Sequence, residues 1–196
     1  MGKIKEKQQR KKQMLLETAF NLFTSKGINE TTIQDIASEA GMAKGTFYLY
    51  FKDKYDLIEK LRSKKAIVLF ENAIDFSRQS KYENFTEQLL IIIDYIVDEL
   101  TRDQALLKFI YKNLSMGLVN LQLSEETGIG FQNAVYKMFE QRVLEEHLPV
   151  EDSKTTLFMI IELVGSTCYN SILYDIPLPI QEFKPHLNMA VRKLLS

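Results

Sequence analysis

Apolar side chains recur three and four positions apart along most of the chain, the period that puts them on one face of an α-helix. Leu15, Leu16, Ala19, Phe20, Leu22 and Phe23 form such a face, and Gly27 offers a stop, so a first helix is predicted from about Lys7 to Lys26. Thr31 with Gln34 resembles a capping box for a second helix that buries Ile33, Ile36, Ala37 and Ala40 and ends at Gly41. A short third helix is expected from about Ala43 to Tyr50, with Phe47 and Phe51 as core. Asp53 stands where it can cap a fourth helix running toward Ser77. Further helices are predicted near 84–101, 103–116, 125–147, 153–174 and 179–195. Within Asn84–Leu100 the run LLIIIDYIV could be a buried strand, but its length and lack of breakers favour a helix. All four prolines lie at or after Pro149 and no strand-like alternation with hairpin turns occurs. The predicted fold class is all-α.

Composition narrows the field without naming a function. The 196 residues are 45% apolar and 26% charged, values of a globular chain with one large or two small domains. Residues 1–65 carry 14 Lys/Arg against 8 Asp/Glu, and the remainder carries 11 against 18. A basic third on an acidic remainder suggests a polyanion-binding module joined to something else. Cys168 is the single cysteine, so no intrachain disulfide can form, which fits a cytoplasmic location. The basic N-terminus is not followed by an apolar stretch, so it is not read as a secretory signal. The apolar run Leu89–Val97, broken by Asp94, is too short to span a bilayer, and no membrane partner is expected. His147 and His186 stand far apart with no zinc spacing, and Cys168 has no histidine beside it. Gly128-Ile-Gly130 precedes no Lys-Ser/Thr and reads as a loop rather than a phosphate cradle. No metal, cofactor or catalytic constellation is expected, which argues against an enzyme.

The stretch from Thr31 to Lys54, TTIQDIASEAGMAKGTFYLYFKDK, carries the most chemistry. Two short helices meet at Gly41, where small residues suit a close crossing. At the start of the second, Lys44 can donate to a guanine O6 or N7, Gly45 lets backbone approach the bases, and Thr46 offers a hydroxyl and a methyl. Tyr48 and Tyr50 can give hydroxyl donors to phosphate. Lys52 and Lys54 flank the start of the next helix, whose N–H groups can also hold a phosphate. The arm MGKIKEKQQRKK, with six basic residues and one acid, suits further phosphate or minor-groove contacts, a solubilising tail being the plainer reading.

The register T-T-x-x-x-I-A-x-x-A-G-x-x-x-G-T-x-Y-x-Y-F-x-x-K resembles the DNA-binding segment of the tetracycline-repressor (TetR) family, over about a quarter of the chain. That resemblance implies a helix-turn-helix domain over residues 1–55 and a helical effector-binding and dimerisation domain over 56–196. It implies that Lys44 and Gly45 face bases, and that Thr31 or Thr32, Thr46, Tyr48, Tyr50 and Lys54 hold phosphates or mixed contacts. Ala43 departs from the serine common in the family at that position, which removes one hydroxyl.

The resemblance further implies a homodimer on a palindromic operator, with the last two helices pairing with their copies. Leu157, Ile161, Val164, Cys168 and the small Gly165 suit one face of that pairing, and Leu187, Val191 and Leu194 the other, although both stripes could equally pack inside one chain. Aromatic and methionine side chains adapt to irregular apolar ligands, so Tyr95, Phe109, Tyr111, Met116 and Phe131 are candidate effector contacts, with Met138, Phe158, Met159 and Tyr169. Glu162 lies in an apolar run, and a carboxylate buried there needs a partner, while Asp94 falls on a stripe with Glu87, Asp98 and Thr101 that reads as solvated. The expected effector is apolar or amphipathic, and cationic where Glu162 takes part. The expected function is a ligand-responsive DNA-binding regulator, a repressor in the first instance. An activator or a DNA binder without small ligand is the alternative, and a helical-bundle enzyme or carrier a remote one.

Overall fold

The computed structural model describes residues 2–111 and 129–196, with side chains from Glu6 to Tyr111 and from Val135 onward. All regular elements among the described residues are helices. They are α1 (Gly2–Ser25), α2 (Ile33–Glu39), α3 (Lys44–Phe47), α4 (Lys54–Arg78) and α5 (Phe85–Arg102), followed by α6 (Gln104–Ile110), α7 (Ile129–Glu145), α8 (Ser153–Tyr174) and α9 (Ile180–Leu194). The chain forms two compact units, Met1–Arg62 and Ser63–Ser196, and the division falls within α4. The helix expected over 103–116 is described only to Ile110, and that expected over 125–147 begins at Ile129. Gly128 lies outside the described residues.

In the first unit the helix ends are fixed by local chemistry. Gly27 closes α1 at φ +95°, a left-handed conformation that other residues resist. The capping box of α2 sits one residue later than the sequence suggests: Thr32, not Thr31, is the N-cap, and Asp35 rather than Gln34 completes it. The Asp35 N–H donates to the Thr32 hydroxyl at 3.1 Å, and the Thr32 N–H donates back to the Asp35 carboxylate at 2.9 Å. Thr31 is fully buried, so it belongs to the interior. At the other end of α2, Met42 N–H donates to Ala37 C=O and Gly41 N–H to Ser38 C=O, with Gly41 at φ +67°. A Cβ on Gly41 would meet nothing within 4 Å. The glycine is therefore needed for its positive φ and not for a close helix crossing. Leu15, Ala19, Ile36, Ala37, Phe47, Phe51 and Leu57 are each buried to 1% exposure or less and make the core of this unit.

In the second unit the ambiguous run LLIIIDYIV is helical. Asn84 caps α5 by accepting from the Glu87 N–H at 3.0 Å, and Asp103 and Asp152 do the same for α6 and α8. Ile92, Ile93, Ile96, Val97 and Leu100 give α5 its buried face. The Glu146 carboxylate, held by Arg142 at 2.8 Å, accepts from the Phe85 N–H and ties the end of α7 to the start of α5. Helix α8 packs against α5, α6, α7 and α9. It is also long and apolar enough, by length and composition, to cross a membrane. Of its most apolar stretch, 33% is buried inside the unit.

The Asp35 carboxyl is held down to about 2 from an ordinary 3.8, first by the Thr32 backbone N–H, then by the Lys26 ammonium and the Thr32 hydroxyl. A depressed carboxyl stabilises the fold above its ordinary pKa and loses that contribution as pH falls toward the folded value. The first unit should therefore weaken between about pH 4 and pH 2. An Asp35→Asn variant should show a smaller acid-dependent change in thermal unfolding over that window.

Candidate functional site

Phe47 and Phe51 fix the register of the segment that follows Gly41. They lie one turn apart, both buried, with ring centroids 5.4 Å apart. Their inward direction turns Lys44, Gly45, Tyr48 and Leu49 out to solvent and leaves Thr46 and Tyr50 half-buried. The Tyr48 ring meets Phe47 edge-on at 5.5 Å and is still half exposed, so its hydroxyl is presented on a braced ring. Ala43 occupies the N-cap of α3 without a side-chain hydrogen bond, as a residue lacking a hydroxyl must. Gly45 has no positive φ, and a Cβ there would meet nothing within 4 Å. The fold itself leaves room for a side chain at this position.

The remaining polar residues divide between surface and interior. Thr32 and Lys52 are exposed. The Thr31 hydroxyl, by contrast, donates to the Gly27 C=O at 2.7 Å inside the unit and cannot reach a phosphate. The Lys54 ammonium donates to the carbonyls of Ile28 and Thr31 at 3.0 and 3.1 Å. It thereby fastens the α1–α2 connection to the start of α4, a role invisible in the sequence because the acceptors are backbone atoms more than twenty positions away. One of its three N–H donors is left for a ligand. At the start of α4, Asp53 accepts from the Asp56 N–H and Asp56 accepts from the Lys52 N–H, at 2.8 and 2.9 Å. These amides are taken by the chain's own carboxylates rather than left open to a phosphate.

In the second unit, α5, α6, α8 and Phe70 of α4 line a partly open cavity of about 50 Å³. Its lining is apolar: Phe70, Ile92, Ile93, Ile96, Val97, Leu100, Leu107, Ile160, Ile161, Val164, Gly165 and Cys168. Among the described residues, none of the sequence-derived pocket candidates lines it. Tyr95 packs on Phe76 with ring centroids 5.0 Å apart, Tyr111 stacks on Tyr169 at 3.8 Å, and Phe109 is plain core. Phe158 and Met159 face solvent, while Met138 and Glu162 are half-buried elsewhere. Met116 lies outside the described residues, as does the side chain of Phe131.

The residues read from sequence as an interface stripe divide between buried and half-buried positions within the unit. Ile161, Val164, Gly165 and Cys168 look into the cavity, and Leu187 and Val191 are core at 1% exposure or less. Leu157 and Leu194 are half-buried. Helical periodicity could not choose between the stripes of α8, because apolar residues fall on more than one of its faces. Burial pushes the Cys168 thiol up to about 12, so it is no nucleophile. Asp94 also departs from expectation. It is half-buried in a seam where Lys184 lies 2.5 Å from Asp98 and 3.9 Å from Asp94, and burial raises its pKa despite the ammonium. Among the described residues, no group of three His, Cys, Asp or Glu could hold a metal.

Two substitutions separate fold from recognition. Gly45→Ala should leave the thermal midpoint unchanged or raise it, by up to about 1 kcal/mol of helix propensity, while weakening DNA affinity at least about tenfold by blocking close approach. Lys54→Met should instead lower stability by about 1–3 kcal/mol, measured by denaturant unfolding, because two carbonyls lose a charged donor.

Comparison with known proteins agrees with this geometry. A family profile described as bacterial regulatory proteins, tetR family, matches residues 15–61. An HTH-type transcriptional regulator of Bacillus subtilis, YerO, is 52% identical over 48 residues, 24% of this chain and 17% of its own length. A probable acrEF/envCD operon repressor of Escherichia coli K12 is 29% identical over 103 residues, 51% of this chain and 46% of its own. The chain thus spans less than half the length of these two relatives. The crystal structure of FadR from Bacillus subtilis in complex with stearoyl-CoA shares the fold, with a TM-score of 0.62 and 19% identity over 94% of this chain and 97% of that one. Buried phenylalanines behind an outward Lys44–Tyr48 edge and the matched profile lead to one assignment: residues 15–61 are a DNA-binding segment of the kind found in the tetR family of bacterial regulatory proteins.

Proposed function

We propose that the protein is a homodimeric, ligand-responsive repressor that leaves a palindromic operator when a small molecule with an apolar body enters its second unit. The observation that carries this reading is the exposed edge from Lys44 to Tyr48, backed by two buried phenylalanines. On B-DNA, Lys44 donates to a guanine edge, Gly45 admits the close approach and Thr46 makes a mixed contact. Thr32, Tyr48, Tyr50 and Lys52 hold phosphates, Lys54 adds its one remaining donor, and the basic N-terminal arm contributes salt-dependent affinity. Dimerisation uses the outer faces of α8 and α9, where Phe158, Met159 and Met189 are exposed. A two-fold axis would then present two edges about 34 Å apart, or at a related spacing set by docking. The protein works as a cytoplasmic DNA-binding regulator and not as an enzyme.

The effector is a molecule with a hydrocarbon part. The apolar lining of the cavity favours such a group, and the stearoyl-CoA complex of the FadR neighbour supports an acyl chain. An engineered apolar cavity of about 150 Å³ takes one benzene, so 50 Å³ holds only a fragment of an acyl chain. Binding must therefore part the helices, and differential binding to the parted state is what gives a ligand control over a conformation. Helix α4 is the covalent path between effector and reading edge. The coupling is reciprocal, so operator DNA weakens the effector by the same factor.

Gel shifts on operator DNA with added stearoyl-CoA, and with coenzyme A alone, test this reading. The acyl compound should release the parent protein and coenzyme A should not. Val164→Phe, which fills the cavity, should still bind the operator but need at least about tenfold more acyl compound for release. Tighter DNA binding in the presence of the ligand would favour an activator.

A further inference from the structure

We infer that Leu49 is a base-reading residue, its isobutyl group packing on the 5-methyl group of a thymine in the major groove. This rests on the DNA-reading edge proposed above and adds a specificity element to it. Leu49 is 78% exposed, the most exposed of the large apolar side chains described. A lone exposed leucine is ordinary on a protein surface; its register is what sets this one apart. The Leu49 N–H donates to the Thr46 C=O at 3.3 Å, and the Tyr50 and Phe51 N–H groups both donate to the Phe47 C=O at 3.0 Å, so the helical turn continues past α3. On such a turn Leu49 stands two residues from each buried phenylalanine, about 160° around the axis from both. It cannot rotate inward without expelling Phe47 or Phe51 from the core.

The same register puts Leu49 four residues after Gly45 and three after Thr46, on their face of the turn. Gly45 projects nothing, so the surface beside Leu49 is open to a partner. Lys44 and Lys52, both exposed, bracket this face with positive charge suited to a polyanion. Leu49 has no group for a phosphate oxygen or for a hydrogen bond to a base. Its chemistry matches the one apolar mark that the major groove displays, the thymine methyl. Lys44 would discriminate guanine by donating, and Leu49 thymine by shape.

The test uses the full-length protein and a duplex recovered by selection from random sequence. Each thymine is replaced in turn by uracil, which removes only the methyl. The parent should lose about fourfold in affinity at one position per half-site, the order expected for one methyl group taken out of contact. Leu49→Ala should bind the thymine duplex as weakly as the parent binds the uracil one, with no further loss at that position. Leu49→Met should keep the sensitivity, and a Thr46→Ser variant should keep it as well, which separates Leu49 from the threonine methyl. Thermal melting confirms that each variant is folded. Equal uracil losses in the parent and Leu49→Ala at every thymine would overturn the assignment while leaving DNA reading intact. A selection that enriches no sequence would overturn the DNA reading, and this assignment with it.

Discussion

The burial of Phe47 and Phe51 is the constraint on which the proposed DNA-reading edge depends. Helix α3 has four residues, far fewer than a helix needs to persist in water unaided. It holds its place because both rings are seated in the core of the first unit, within about 1% of full burial. Once they are seated, the outward direction of every other residue from Lys44 to Lys52 follows from the helical period. The neighbouring devices serve the same end: Gly41 turns the chain with a positive φ, Asp35 and Thr32 close the start of α2, and the Lys54 ammonium clamps two carbonyls. A surface that reads a rigid duplex has to be rigid itself, because ordering it on binding would subtract from affinity.

The second unit follows a different logic. Its helices α5 and α8 face one another with isoleucine, valine and glycine and leave an apolar void between them. A void of this kind has no polar group to hold water and forfeits dispersion contacts, so it is a site of weak packing. Weak packing costs stability where nothing is bound, and in the proposed function it is where hydrocarbon enters and shifts the balance between two helix arrangements. On the proposed reading, that balance is how a molecule with no DNA contacts affects an operator.

The outline of the fold was legible in the sequence, because helices with periodic apolar faces and capped ends announce themselves. Asn84, Asp103 and Asp152 cap helices that the pattern already indicated. The points that the sequence left open are equally specific. Thr31 and Thr32 both fit a capping pattern, and only tertiary burial of Thr31 decides between them. Helix α8 has apolar residues on more than one face, so its cavity-facing residues could not be told from an interface stripe. Aromatic and methionine side chains suit a pocket by chemistry, whereas the cavity is walled mostly by branched aliphatic residues, which look like any other core in a sequence. The Lys54 clamp was illegible because its acceptors are backbone carbonyls brought near by the fold, and Leu49 because an exposed leucine in a sequence looks the same as a buried one.

The central claim is that the edge held out by Phe47 and Phe51 reads DNA. The most direct measurement is a gel shift with DNA from upstream of the protein's own gene, in excess unrelated DNA, comparing the parent with a Lys44→Ala, Tyr48→Ala double variant of equal thermal midpoint. The account predicts a specific shift for the parent that the double variant loses. A folded double variant that shifts the same DNA as strongly as the parent would contradict it.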